Sequence, residues 1–265
     1  MRILVACEES QAVTKELRRL RHEAYSCDII PCSGGHPEWH IMGDALAVVN
    51  GKCKFATMDG IQHEIAGTWD LLIAHPPCTY LTNAGARHLW KGGVLNQERY
   101  AKGMEAKAFF MAFYNADCPR IAIENPTPSK VFELPPATQY IQPYEHGHEY
   151  TKRTGLWLKN LQPLKPTCVV KPIATWCPSG SYSHKHGEQH RGMFTTDRAK
   201  NRSKTFPGIA RRWLNSGRDR LKIVSTQGSH NDIIYGVRDS REGAPKVRQP
   251  WRVCYGIYAR KNASV

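Results

Sequence analysis

The chain has 265 residues and a formal net charge of +14, from 37 Lys and Arg against 23 Asp and Glu. That length supports one good core, or one core with an appendage. Its 41% hydrophobic content includes no apolar run near the length of a membrane span, so no membrane partner is expected. The opening MRILVACEES enters a strand pattern with no signal-peptide architecture, which sets the expectation of a cytoplasmic protein. Nine cysteines, an odd number in no regular frame, fit reduced thiols better than a disulfide scaffold. So basic a chain calls for a polyanionic partner, nucleic acid first. The charge is uneven: Arg212 to Val265 holds eleven Lys and Arg against four Asp and Glu, hence +7 of the total.

In chain order, Ile3-Leu4-Val5-Ala6 predicts a strand, followed by the loop Cys7-Glu8-Glu9-Ser10-Gln11. Ser10 is placed to cap a helix over Ala12 to Leu20, with Val13, Leu17 and Leu20 on one face. A second strand, Glu23 to Cys27, ends on Asp28. Strand, loop, helix and a strand closing on an acid is the opening of a Rossmann-like unit, whose acid usually holds ribose hydroxyls. The glycines usual in the first loop are missing. His40 to Leu46 predicts a third strand end and turn, and Phe55 to Ile65 a hairpin around Asp59-Gly60.

Trp69 to Tyr80, WDLLIAHPPCTY, is the most informative stretch. Asp70 to Ala74 is too short and apolar for anything but a buried strand. Pro76 and Pro77 stop it, since proline cannot donate to a ladder and stiffens what precedes it. Cys78 therefore stands on a rigid turn past the carboxyl end of a parallel strand, where open α/β sheets place ligands. Thr82 to Gly85 reads as a flexible polar loop suited to covering a ligand. Asn96 to Asp117 is the clearest helix: Met104, Ala108, Met111 and Ala112 recur at helical spacing, and its Met and Phe stripe is expected in the core. Arg120 to Ile123 is the next strand and runs into Glu124-Asn125-Pro126; Gly155 to Leu158 is another. Lys165 to Lys204 is polar and aperiodic, and Thr205 to Arg211 begins a last helix.

A thiol and a carboxyl group at the ends of two parallel strands suit one reaction class. The thiolate adds to an electron-poor ring carbon while the carboxyl group hydrogen-bonds or protonates the ring. With an adenosine-type site ahead of them, these motifs resemble the DNA (cytosine-5)-methyltransferases of the short phage and prophage type, from Arg2 to about Arg211. The resemblance implies a Rossmann-like S-adenosylmethionine-dependent methyltransferase fold, α/β, mostly parallel, with helices on both faces. It implies DNA as partner and S-adenosyl-L-methionine as cofactor. Pro77-Cys78 matches the family's nucleophile turn and Glu124-Asn125 its carboxyl turn, while Arg153 matches the arginine that contacts the flipped base. Ala6, Cys7, Glu8 and Ser10 fall on the cofactor loop, Asp28 on the ribose acid and Asp44 on the acid near the adenine, with Asp59 its runner-up; Pro76 joins that cofactor-binding set. Protection of phage DNA from restriction is a further implication.

Some positions depart from the family pattern. His75 replaces a small residue, Pro126 follows Glu-Asn where an aliphatic is usual, and only Lys159 to Lys204 could replace the large recognition domain. Two alternatives follow: a catalytically impaired nucleic-acid-binding remnant, or an amino-methyltransferase acting on an exocyclic base nitrogen. Zinc sites at Cys27, Cys32, His36 and His40, or at Cys168, Cys177, His184, His186 and His190, lack the tight CxxC pair of a strong motif. After Arg211, family members continue Ala-Met-Ala-Glu-Gln-Trp where this chain has Arg212-Trp213-Leu214-Asn215-Ser216-Gly217. One DNA string encodes both in different frames. Residues 1–211 are therefore expected to form the methyltransferase domain, and residues 212–265 an atypical basic, poorly packed tail from a shifted reading frame.

Overall fold

The computed structural model describes residues 1–86, 88–176 and Ile209. The expected tail and most of the recognition-like insertion lie outside these residues. Three strands and a helix open the chain: β1 (Arg2–Ala6), α1 (Ala12–Arg19), β2 (Glu23–Asp28) and β3 (His40–Met42). An antiparallel hairpin, β4 (Cys53–Ala56) with β5 (Gln62–Ile65), leads to β6 (Leu71–Ala74) and a short helical turn, α2 (Asn83–Ala86). A second small hairpin, β7 (Trp90–Lys91) with β8 (Val94–Leu95), precedes the long helix α3 (Gln97–Tyr114). Then come β9 (Ile121–Pro126), β10 (Gln139–Ile141), β11 (Tyr150–Thr151), β12 (Thr154–Lys159) and β13 (Ala174–Thr175).

The central sheet has seven strands in the order β10-β12-β9-β6-β1-β2-β3. Its five members from β9 to β3 are parallel, and β12 and β10 add an antiparallel edge. The chain is thus mixed α/β with a mostly parallel sheet, compatible with a Rossmann-like fold. Strand alternation builds its two faces. Ile3 and Val5 of β1 and Leu71 and Ile73 of β6 pack with Val13 and Leu17 of α1. Leu4, Ala6, Leu72 and Ala74 face the other way, with Phe110 and Phe113 of α3. Each Val, Leu, Ile or Phe side chain so buried contributes roughly 1.5–3 kcal/mol, and each Ala less. Trp69 and Trp157 are completed by bonds from their indole N–H to the carbonyls of Val48 and Pro135, both at 2.7 Å.

Three local expectations need correction. Ser10 does not cap α1: Gln11 occupies the cap position in a left-handed conformation, and the carboxylate of Glu8 accepts the amides of Val13 and Thr14. A buried carboxylate reaching back over the first turn offers a stronger acceptor than a serine hydroxyl. The stripe on α3 holds only in part: Phe110 and Phe113 are buried and Met111 packs against the same core, but Met104 (40% exposed) and Ala108 face outward and Gly103 takes a place on the buried face. The aromatics carry more area than the methionines and claim the sheet. Lastly, Thr82 to Gly85 is no open loop. Thr82 and Gly85 are buried, Thr82 bridges to Pro128, and the turn closes through Gly85 and Ala86 amides on the Thr82 carbonyl. The other strands, the α1 and α3 helices and the hairpin at Phe55 stand where the sequence predicts them. Ile209 is helical and buried against the α1 side; the rest of the Thr205 to Arg211 prediction lies outside the described residues.

Candidate functional site

Five parallel strands end side by side. The strand order reverses between β1 and β6, with β2 and β3 on one side and β9 on the other, which opens the crevice where α/β sheets bind ligands. Glu8 follows β1, His75 follows β6, and Glu124 lies near the end of β9.

The β6 and β9 ends are tied closely. Nδ1 of His75 and Oε2 of Glu124 are 2.8 Å apart, and Nζ of Lys152 stands 3.9 Å from Oε1 of the same carboxylate. All three side chains are at least four-fifths buried. His75 is pushed above its ordinary value: burial opposes its charge, but the hydrogen bond and charge of Glu124, with the charge of Glu8, outweigh that. Glu8 is raised as well, chiefly by burial, with His75 and the α1 amides working against the shift. Glu8, His75, Glu124 and Lys152 thus form one chain of alternating sign across the crevice.

The turn that carries Cys78 is tied by hydrogen bonds to the segment that follows Glu124. Asn125, fully buried, donates from Nδ2 to the carbonyl of Pro76 at 3.0 Å. Beyond it the amide of Asn83 binds the carbonyl of Thr127, and the amide of Ser129 binds that of Leu81. The amides of Leu81 and Thr82 close the turn on the carbonyl of Cys78 itself. The segment carrying the thiol therefore runs along the segment that leaves Glu124, and Cys78 as a residue is half-buried. Two buried polar atoms here, Nε2 of His75 and Oδ1 of Asn125, have no hydrogen-bond partner. Leaving such atoms unpaired costs about 1–3 kcal/mol each, a demand that a polar ligand would meet.

The β1, β2 and β3 ends are built differently. In the first loop Cys7 (φ 59) and Gln11 (φ 55) adopt the left-handed conformation that glycine would take without strain. Gln11 then braces the loop after β2: its Nε2 donates to the carbonyl of His36, and its Oε1 accepts the His36 amide. Gly34 passes so close that a Cβ there would sit 2.5 Å from the Gln11 side chain. Asp28 is half-buried, with its carboxyl group raised above the usual range, mainly by burial. Asp44 is exposed and caps the short turn after β3, accepting from the amide of Leu46 at 2.9 Å. Both acids bear on the same two thiols. Burial first, then Asp28, pushes up Cys7 and also Cys27, the latter to about 12, and Asp44 adds to both.

The remaining expected residues fall as follows. Ala6 is buried in the sheet and its carbonyl takes the amide of His75; Pro76 is buried beside it. Ser10 lies on the bend before α1. Arg153 is exposed, its guanidinium 3.8 Å over the ring of Tyr140, so its neighbour Lys152 is the cation that reaches Glu124. Asp59 sits in the β4–β5 turn, accepting from Thr57 Oγ1 and the Ile61 amide. The first candidate zinc set is occupied otherwise: both ring nitrogens of His40 are engaged, by Ser26 and the Ile30 carbonyl, and His36 stacks on Trp39. Among the described residues no group of three or more His, Cys, Asp or Glu could hold a metal ion. Apart from Cys168, the second set lies outside the described residues.

Lys152 was missed in the sequence because the motif drew attention to Arg153, and His75 figured only as a misfit. The pairing of β12 with β9 was the available signal: it sets Leu156 opposite Glu124 and brings the chain before Thr154 to that strand's end. No family model matches the chain, and no curated protein matches it. No helix among the described residues is long and apolar enough to cross a membrane.

Proposed function

We propose that the chain is an S-adenosylmethionine-dependent methyltransferase acting on carbon 5 of cytosine in DNA. The observation that carries this reading is the joining of two strand ends: the Cys78 turn is laced to the loop that follows Glu124, whose carboxylate is gripped by His75 and Lys152. A nucleophile and an acid presented together on rigid backbone are what addition to an electron-poor ring needs.

In this reading the thiolate of Cys78 forms a bond to carbon 6, and the ring electrons move toward carbon 5 and the ring nitrogen. Glu124 holds or protonates that nitrogen, and Lys152 and His75 keep its carboxylate oriented. Bound S-adenosylmethionine would supply an electrophilic methyl group for carbon 5. Loss of the carbon-5 proton then lets the electron pair return and expel the thiolate, so the enzyme is regenerated. The target base must leave the duplex stack to reach the thiol, at a cost of a few kcal/mol.

The donor set fits such a cofactor in part. Asp28 offers a half-buried acceptor suited to ribose hydroxyls, and Asp44 stands near it. Glu8 does not fit as a direct ligand, because its carboxylate is already bound to Val13 and Thr14. Its role is to set α1 and add negative charge behind His75.

Transfer of a labelled methyl group to DNA tests the proposal. The intact chain should label carbon 5 of cytosine, and Cys78→Ala should lower the rate by about 10⁴-fold or more. A duplex containing 5-fluorocytosine should trap the intact chain covalently, since fluorine cannot leave as the proton does. Absence of both label and adduct from the intact chain would end the reading.

A further inference from the structure

Neither Cys78, His75 nor Glu124 lines the open cleft beside them, which has a volume of about 480 Å³. Its walls include Tyr80, Trp90, Lys91, Glu98, Arg99 and Lys102. Trp90 is 54% exposed, a large apolar face left in water on a two-strand hairpin. That hairpin turns through Gly92 (φ 59) and Gly93 (φ 80), the pair of left-handed residues a tight type I′ turn requires. Elsewhere in the lining, Arg99 lies 5.1 Å from the centre of the Tyr80 ring and donates to the carbonyls of Thr79 and Gly85. Glu98 is neutralised by Lys102 at 2.6 Å, so among the described lining residues Lys91 and Arg99 leave the cleft positive.

We propose that this cleft binds DNA as an unpaired strand, one base stacking on Trp90 and the adjoining phosphate lying between Lys91 and Arg99. Aromatic faces interleaved with cations are the general means of holding single-stranded nucleic acid, since every base has a face to stack and every linkage a charge. A protein partner would want a continuous apolar surface, and here cations flank the tryptophan. The location rests on the methyltransferase reading: Thr79 adjoins Cys78, so a strand whose cytosine reaches the thiol passes close to this turn. Arg99, which grips Thr79, would then couple strand binding to the position of the nucleophile.

The test uses the full chain and a fluorescein-labelled single-stranded oligonucleotide containing cytosine, followed by fluorescence anisotropy. Trp90→Ala should weaken binding by about tenfold or more, and Trp90→Phe, which keeps a stacking face, should retain most of it. Lys91→Ala should lower the dependence of affinity on salt by about one phosphate contact. In methyl-transfer assays Trp90→Ala should raise KM for DNA and leave kcat nearly intact. Equal affinity of Trp90→Ala and the parent, or no oligonucleotide binding by the parent, overturns the proposal. Weakened binding by Trp90→Ala in a parent that gives neither methyl transfer nor a 5-fluorocytosine adduct would uphold the cleft and sink the methyltransferase reading. Transfer that is indifferent to Trp90 would do the reverse.

Discussion

The two halves of the crevice are held by different means. At the β6 and β9 ends, side chains hold side chains: His75 and Lys152 grip Glu124, and Asn125 ties one turn to the next. At the β1, β2 and β3 ends the backbone is bent into shape, with Cys7 and Gln11 in left-handed conformations at a cost of about 1 kcal/mol or more each. Asp28 and Asp44 there accept from the Ile30 and Leu46 amides, and a carboxylate so engaged still has acceptor capacity for hydroxyl groups. Chemistry that makes and breaks bonds to a ring needs fixed groups, whereas holding a dissociable cofactor needs accessible acceptors. The difference teaches that the first half should respond to substitution in rate and the second in affinity.

Glu124→Gln should break the tightly held half most severely. It keeps the shape but removes the charge that His75 and Lys152 answer, and methyl transfer at saturating substrates should fall about 10²–10⁴-fold. Guanidinium denaturation should show the variant folded, so that lost rate is not lost structure. Glu8→Ala comes next, because it strips α1 of its buried cap and leaves Val13 and Thr14 amides unanswered. A loss of about 2–3 kcal/mol is expected in the same denaturation experiment.

The ion pair also gives the pH dependence of stability a sign. The folded-state value of His75 lies above its ordinary value of about 6.5, so its contribution is fully present below that pH. It should be lost as pH rises through the elevated value. Glu8, also raised, acts in the same direction. Denaturation midpoints across that range should fall for the parent chain and flatten in His75→Gln. The smallest expected effect is in the other half: Asp28→Asn should raise KM for S-adenosylmethionine about tenfold with kcat kept. An equal loss of kcat there would erase the contrast between the halves.

Much of the sheet was legible in the sequence because its signals are local. Ile3 to Ala6 and Asp70 to Ala74 are short apolar runs stopped by polar or proline turns, and the structure has strands at both. The Met and Phe stripe on α3 is legible at Phe110, Phe113 and Met111 but not at Met104 and Ala108, which obey helical spacing equally well; only the opposing sheet decides which face is buried. Site residues adjoining motif landmarks could be named. Lys152 could not, since its meeting with Glu124 depends on an antiparallel pairing across nearly thirty residues. Glu8 was assigned to the cofactor loop, and nothing local revealed that its carboxylate would turn inward to α1.

Gly103 supplies a consequence of a different kind. A methyl group at that position would lie 2.2 Å from the tip of the Phe132 ring, so the aromatic side chain fits a notch in the helix like a key in a lock. Phe132 lies on the stretch descending from Glu124 and Asn125, and the notch therefore gauges how far that stretch may drift from α3. Enlarging the notch residue and trimming the ring together, as in Gly103→Ala with Phe132→Leu, should restore much of what the first change alone removes.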